Sequence, residues 1–211
     1  MSAPAAEPLV LIVSGPSGSG KSTLVAKLVE LPDMMLSISC TTRPPRPSER
    51  QGEWYNFISE EEFSRKIEAG EFLEYARVFG SHYYGTPLSE LERARNSGRD
   101  LVLEIDVQGA AQVKRKLPAA VGIFILPPSR GELERRLRLR GQDSEQEIER
   151  RLERARQEMA GYESYEYAVV NDELEDAGRR VQAVAIAARL RSRRNRTRVE
   201  QILSSFGGPT R

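Results

Sequence analysis

The stretch Gly15-Pro-Ser-Gly-Ser-Gly-Lys-Ser22 puts three glycines, a lysine and a terminal serine at the spacing G-x-x-x-x-G-K-[ST]. Glycines let a backbone curl until several N–H groups point inward, which makes a cradle for phosphate oxygens. A helix starting at the end of the loop adds partial positive charge. Lys21 would bring a full charge to the β- and γ-phosphates, and the Ser22 hydroxyl would face a magnesium ion. This chemistry says nucleoside triphosphate and no more.

A second set lies far along the chain. Glu104 and Asp106 stand two apart at the end of a predicted strand over 100–106, after the apolar residues 101–103, so both project from one face. Ligands of open α/β sheets bind beyond the carboxyl ends of the strands. One acid there would share the metal with Ser22, and Asp106, nearer the end, is the expected partner.

Something must hold these groups in place. Residues 9–13 are continuously apolar and partly β-branched, which predicts a buried strand; a helix with leucines at 24, 28 and 31 follows the glycine loop, and Pro32 ends it. Further strands are expected over 36–39, 54–58, 72–79, 100–106, 123–126 and 168–170. Helices are expected from the capping box Ser59-Glu-Glu-Glu62 to Gly70, over 88–95, from 108, over 129–159 with a break near Gly141, and from 174 onward. Alternating strands and helices predict an α/β fold with a parallel sheet flanked by helices. The expected division is a tail over 1–8, a core over 9–35, 87–128 and 160–204, a β-rich insertion over 36–86, and a helical lid over 129–159.

Other segments are more specific. They are Ser39-Cys-Thr-Thr-Arg-Pro-Pro-Arg46, Gly52-Glu-Trp-Tyr-Asn-Phe57, Glu71-Phe-Leu-Glu-Tyr75, Tyr83-Tyr-Gly-Thr86, Glu104-Ile-Asp-Val-Gln-Gly109, Arg136-Leu-Arg-Leu-Arg-Gly141 and Val170-Asn-Asp172. Arginines three apart beside prolines can converge on one phosphate, which their forks match bidentately. Tyrosine hydroxyls can donate to the same oxygens, and either Tyr83 or Tyr84 suits that role. A carboxylate such as Glu74 is the acceptor-only group that satisfies the two donors on guanine, N1–H and the 2-amino group.

In their order and spacing these segments resemble the guanylate kinases, over about residues 9–190. The resemblance implies a P-loop NTPase-type core, a GMP-binding subdomain and a mobile lid, with Mg²⁺-dependent phosphoryl transfer from ATP to GMP and dGMP as a further candidate acceptor. It implies that ATP is held by Gly15, Pro16, Ser17, Gly18, Ser19, Gly20, Lys21, Ser22 and Thr23, with Asn171 near the adenine. It puts Arg43, Arg46, Tyr55 and Tyr84 around the GMP phosphate, and Ser39, Glu74, Thr86 and Glu104 around the guanine. Lys21, Arg43 and the lid arginines Arg136, Arg140 and Arg151 would face the transferred group, and Ser22 and Asp106 the metal.

Composition sets the remaining bounds. The 211 residues are 39% apolar and 30% charged with a net charge of +1, ordinary for a soluble globular protein and no sign of a nucleic-acid or acidic partner. Residues 130–156 carry nine Arg against six Glu and one Asp, so most of that charge is expected in surface pairs at helical spacing. The lone Cys40 allows no internal disulfide, which fits a reducing cytoplasm. No apolar run is long enough for a membrane span, and residues 1–8 lack the features of a secretory signal. The sole histidine, His82, is read as a turn residue. The basic run over 191–198 is read as a solvated helix end, and Val199, Ile202, Leu203 and Phe206 beyond it leave a homo-oligomer open. Two rivals remain: a scaffold module that has lost catalysis, and a kinase for another small acceptor.

Overall fold

The computed structural model describes residues 7–78, 82–139 and 144–206. Its main layer is a parallel sheet in the order β2-β7-β1-β8-β9. These strands are β1 Val10–Ser14, β2 Met34–Leu36, β7 Asp100–Glu104, β8 Val121–Leu126 and β9 Tyr167–Val170. β1 is central, and all five of its residues are buried. Its unbroken apolar sequence reflects cover on both faces. Leu11 and Val13 pack with Leu24 and Leu28 of α1 (Lys21–Val29) and with Ala177, Val181 and Ala185 of α7 (Leu174–Arg189). Val10 and Ile12 point the other way, toward Ala94 of α3 (Ser89–Ser97) and Ala110 and Val113 of α4 (Val107–Lys116). Each fully buried Leu or Ile in these layers contributes roughly 1.5–3 kcal/mol of transfer free energy.

A second, mixed sheet has the order β4-β3-β6-β5, formed by β3 Cys40–Thr41, β4 Asn56–Phe57, β5 Phe72–Val78 and β6 His82–Pro87. The helix α2 (Glu60–Glu68) lies against it through Phe63, whose ring stacks on Phe72 at 4.5 Å and on Tyr83 at 5.2 Å. Ser59 caps α2 by accepting from the Glu62 amide, as the capping box predicts. The β5–β6 pairing sets Glu74 directly opposite Thr86. The strand expected over 36–39 lies earlier, at Met34–Leu36, and it pairs with β7 in the main sheet. Burial of Met34 and Met35 decides this.

The helices α5 (Arg130–Leu139) and α6 (Glu145–Met159) form a pair with its own small core of Leu133, Leu137, Ile148, Leu152 and Ala155. Gly141, where a hinge was expected, lies outside the described residues. A single 3₁₀ turn at Tyr162–Ser164 leads into β9. The last helix, α8 (Arg196–Ser205), buries none of its residues.

Candidate functional site

The loop between β1 and α1 wraps back over the carboxyl end of the sheet. Gly15 has φ +147°, and a Cβ there would lie 2.2 Å from the Ile125 carbonyl oxygen, so the loop passes β8 at a distance only glycine allows. Gly20, at φ +91°, is the residue before α1, and a Cβ there would strike the Asn171 side-chain nitrogen at 2.2 Å. Asn171 is buried, and its Nδ2 donates to the Ser19 carbonyl at 2.8 Å. Arg136 Nη2 donates to the Asn171 carbonyl at 3.0 Å, and its Nη1 to the Ser19 carbonyl at 3.4 Å. The loop is thus clamped from outside by β9's end and by α5. Lys21 folds over it, with Nζ 2.7 Å from the Gly15 carbonyl and 3.1 Å from that of Pro16.

The mixed sheet supplies the facing wall. Glu74 is almost fully buried, and its Oε1 accepts from Thr86 twice, from the amide at 2.9 Å and from Oγ1 at 2.7 Å. Ser39 Oγ lies 3.1 Å from the Thr86 hydroxyl and extends the chain of polar groups. Burial pushes the Glu74 carboxyl up to about 7; the two Thr86 bonds pull it down less strongly, and the neighbouring Asp106 charge adds to the rise.

Beside it is a basic and aromatic corner. Arg43 Nε donates to the Tyr84 hydroxyl at 3.1 Å, and its guanidinium lies 5.8 Å from the Tyr55 ring centre. Its Nη2 pairs with Glu49 at 2.9 Å, and the other Glu49 oxygen accepts from the Arg46 amide at 2.8 Å. The Arg46 side chain itself is exposed, so the two arginines expected to converge differ in role here: Arg43 is held and Arg46 reaches into solvent. Burial, with the Glu104 charge next, pushes the Tyr55 phenol up to about 12, so it remains a donor at neutral pH.

Between the two walls stands Glu104, the last residue of β7, which accepts from Ser22 Oγ at 2.7 Å. The metal partner expected for Ser22 is Asp106; the Ser22 hydroxyl itself donates to Glu104, and Asp106 lines the same cleft. β7 ends at Glu104, and Asp106 falls beyond the strand as the cap of α4, one oxygen accepting from the Gly109 amide at 2.8 Å. Glu104 also lines the same cleft as Ser39, Tyr55 and Glu74.

These walls enclose a cleft of about 280 Å³. Of the expected residues, Gly15, Ser17, Gly18, Gly20, Lys21, Ser22, Ser39, Tyr55, Glu74, Tyr84, Glu104, Asp106 and Arg151 line it. A phosphate cradle thus faces a buried carboxylate across one cleft. The family model for guanylate kinase matches residues 7–188.

The chain belongs to the guanylate kinase family. It is 47% identical to a guanylate kinase of Bordetella pertussis over 210 residues, which covers 99% of this chain and 96% of that one. It is 47% identical to a guanylate kinase of Methylococcus capsulatus, over 95% and 98% of the two chains. Its fold is similar to the crystal structure of guanylate kinase from Anaplasma phagocytophilum, with a TM-score of 0.75 and 34% identity over 90% of each chain.

Within this guanylate kinase fold, some expected residues act from behind the cleft wall. Thr86 orients Glu74, while Asn171 and Arg136 hold the loop. The Asn171 side chain, which the resemblance implied lies near adenine, donates to the loop backbone. Thr23 is exposed on α1, and Arg140 lies outside the described residues. Three groups went unnoticed in the sequence. Glu49 positions Arg43, and its signal was an acid three residues beyond Arg46. Arg154 lines the cleft one helical turn from Arg151. Gly109 stood inside a quoted motif but has no side chain to flag it.

Proposed function

We propose the following division of labour for the guanylate kinase reaction, in which ATP and GMP give ADP and GDP. An oxygen of the GMP phosphate forms a bond to the γ-phosphorus of ATP. The bond from that phosphorus to the oxygen bridging to the β-phosphate breaks, and ADP leaves with the electron pair. Such a transfer needs positioning and charge stabilisation more than covalent help.

The loop over 15–22 cradles the triphosphate with its amides, and Lys21 exchanges its Gly15 and Pro16 carbonyls for phosphate oxygens. Arg43, Tyr55 and Tyr84 receive the GMP phosphate, with Arg46 closing in from the loop. Glu104 and the Ser22 hydroxyl, 2.7 Å apart, are hard oxygen donors of the kind Mg²⁺ takes, and they suit an ion that draws its other ligands from phosphate and water. Magnesium bound there would neutralise phosphate charge. Arg151 and Arg154 on α6 face the cradle across the cleft. We read α5 and α6 as the lid that excludes water, since an open site would let hydrolysis compete. Among the described residues no helix is long and apolar enough to cross a membrane. We place the enzyme in the cytoplasm.

The base is chosen by Glu74, and this observation carries the reading: its Oε1 is committed to Thr86, and its Oε2 is left for the donors of guanine. Adenine would aim an N1 lone pair at that carboxylate and leave it unpaired. Sites built on such matches reject the wrong partner by up to about 10⁴–10⁵-fold. A coupled assay of ADP release against GMP, AMP, CMP and UMP tests this. GMP should be the one good acceptor, and comparable turnover of AMP would refute it.

A further inference from the structure

We infer that Gly109 is a specificity-determining position in this enzyme, because its missing side chain is the space that the Glu74 carboxylate occupies. The inference rests on the reading of Glu74 as the acceptor for guanine. A Cβ at residue 109 would lie 2.4 Å from Glu74 Oε2 and 3.0 Å from its Cδ. Oε2 is the oxygen not used by Thr86, hence the one offered to the base. Gly109 is buried in the first turn of α4, and its amide is already engaged by Asp106 at 2.8 Å. Its backbone is not in the left-handed region, so glycine is not required there by conformation. The requirement comes from what sits against it.

A methyl group at 109 leaves Glu74 two ways to yield. The carboxylate can turn about its last bond, which breaks the paired Thr86 contacts, or it can withdraw whole, which takes Oε2 out of reach of guanine. Both are small movements of a side-chain tip, so the fold survives. Alanine also favours a helix over glycine. Gly109 is therefore a positioning residue that acts through Glu74.

Gly109→Ala tests this against wild type, Glu74→Gln and the double variant. The kcat/KM for GMP should fall about 10- to 100-fold, the loss of one charge-assisted hydrogen bond. The preference for GMP over IMP, which lacks the 2-amino group, should fall with it. MgATP affinity by calorimetry should stay the same, and the melting temperature should hold or rise. The double variant should fall no further than Glu74→Gln alone, since both changes act on one contact. If Glu74→Gln is impaired and Gly109→Ala keeps both its GMP activity and its GMP/IMP ratio, the role of Gly109 is refuted and that of Glu74 stands. If Glu74→Gln keeps full GMP activity, both fall. A Gly109→Ala protein that loses stability and MgATP binding together would show a packing role and overturn the inference.

Discussion

Glu74→Gln probes base choice with almost no change of shape, and the structure dictates which way the new amide must face. Thr86 presents two donors to one oxygen, its amide at 2.9 Å and its hydroxyl at 2.7 Å. The glutamine carbonyl takes that place, because the NH₂ group there would meet the Thr86 amide donor to donor. The NH₂ is then forced to the Oε2 position, where guanine brings its own N1–H and 2-amino donors. A charge-assisted bond is worth about 1.5–3 kcal/mol, and leaving a buried donor unmatched costs about 1–3 kcal/mol. Some of this returns through relaxation, so the net loss in kcat/KM for GMP is about 2–4 kcal/mol, or about 30- to 1000-fold. Steady-state kinetics with GMP varied at saturating MgATP reads it directly. Calorimetry with MgATP should show no change, since the phosphate loop lies on the other wall. A Glu74→Gln enzyme within about threefold of wild type for GMP would refute the argument.

Lys21→Ala should lower turnover by several orders of magnitude and leave GMP binding by calorimetry largely intact, because its ammonium meets the transferred phosphoryl charge and not the base. The raised Glu74 carboxyl predicts two pH effects. Since GMP needs the ionised form, kcat/KM for GMP should fall about tenfold per unit below pH about 7, a step that Glu74→Gln removes while the titration of GMP's own phosphate, near 6, remains. For stability the sign is opposite: between pH 4.5 and about 7 the folded state keeps a proton that the unfolded state has released, so ligand-free wild type should lose stability as pH rises through that window. Melting curves of Glu74→Gln should lack that slope.

The local sequence determined a good deal of this protein. The run over 9–13 is a buried central strand because period-free apolar sequence needs cover on both faces, and the glycine loop that follows must turn sharply into a helix. The capping box at Ser59 follows from local chemistry as well. In the same way the motif residues raised the expectation of phosphate and guanine ligands, since arginine forks match phosphate and a carboxylate can accept from both donors of guanine. Tertiary structure decided which group meets which. Glu104 and Asp106 are equivalent in sequence pattern, and the strand's end between them sends one to Ser22 and the other to the cap of α4. Asn171 and Arg136, expected as ligand contacts, also bond to the loop and its neighbour, because β9 and α5 arrive behind it. Gly109 carries no local signal at all: a glycine in a helix acquires its role only when a distant carboxylate is brought against it. Chain-local energetics set the elements and their residue types, whereas contacts between residues such as 74 and 109 exist only once α4 packs against β5.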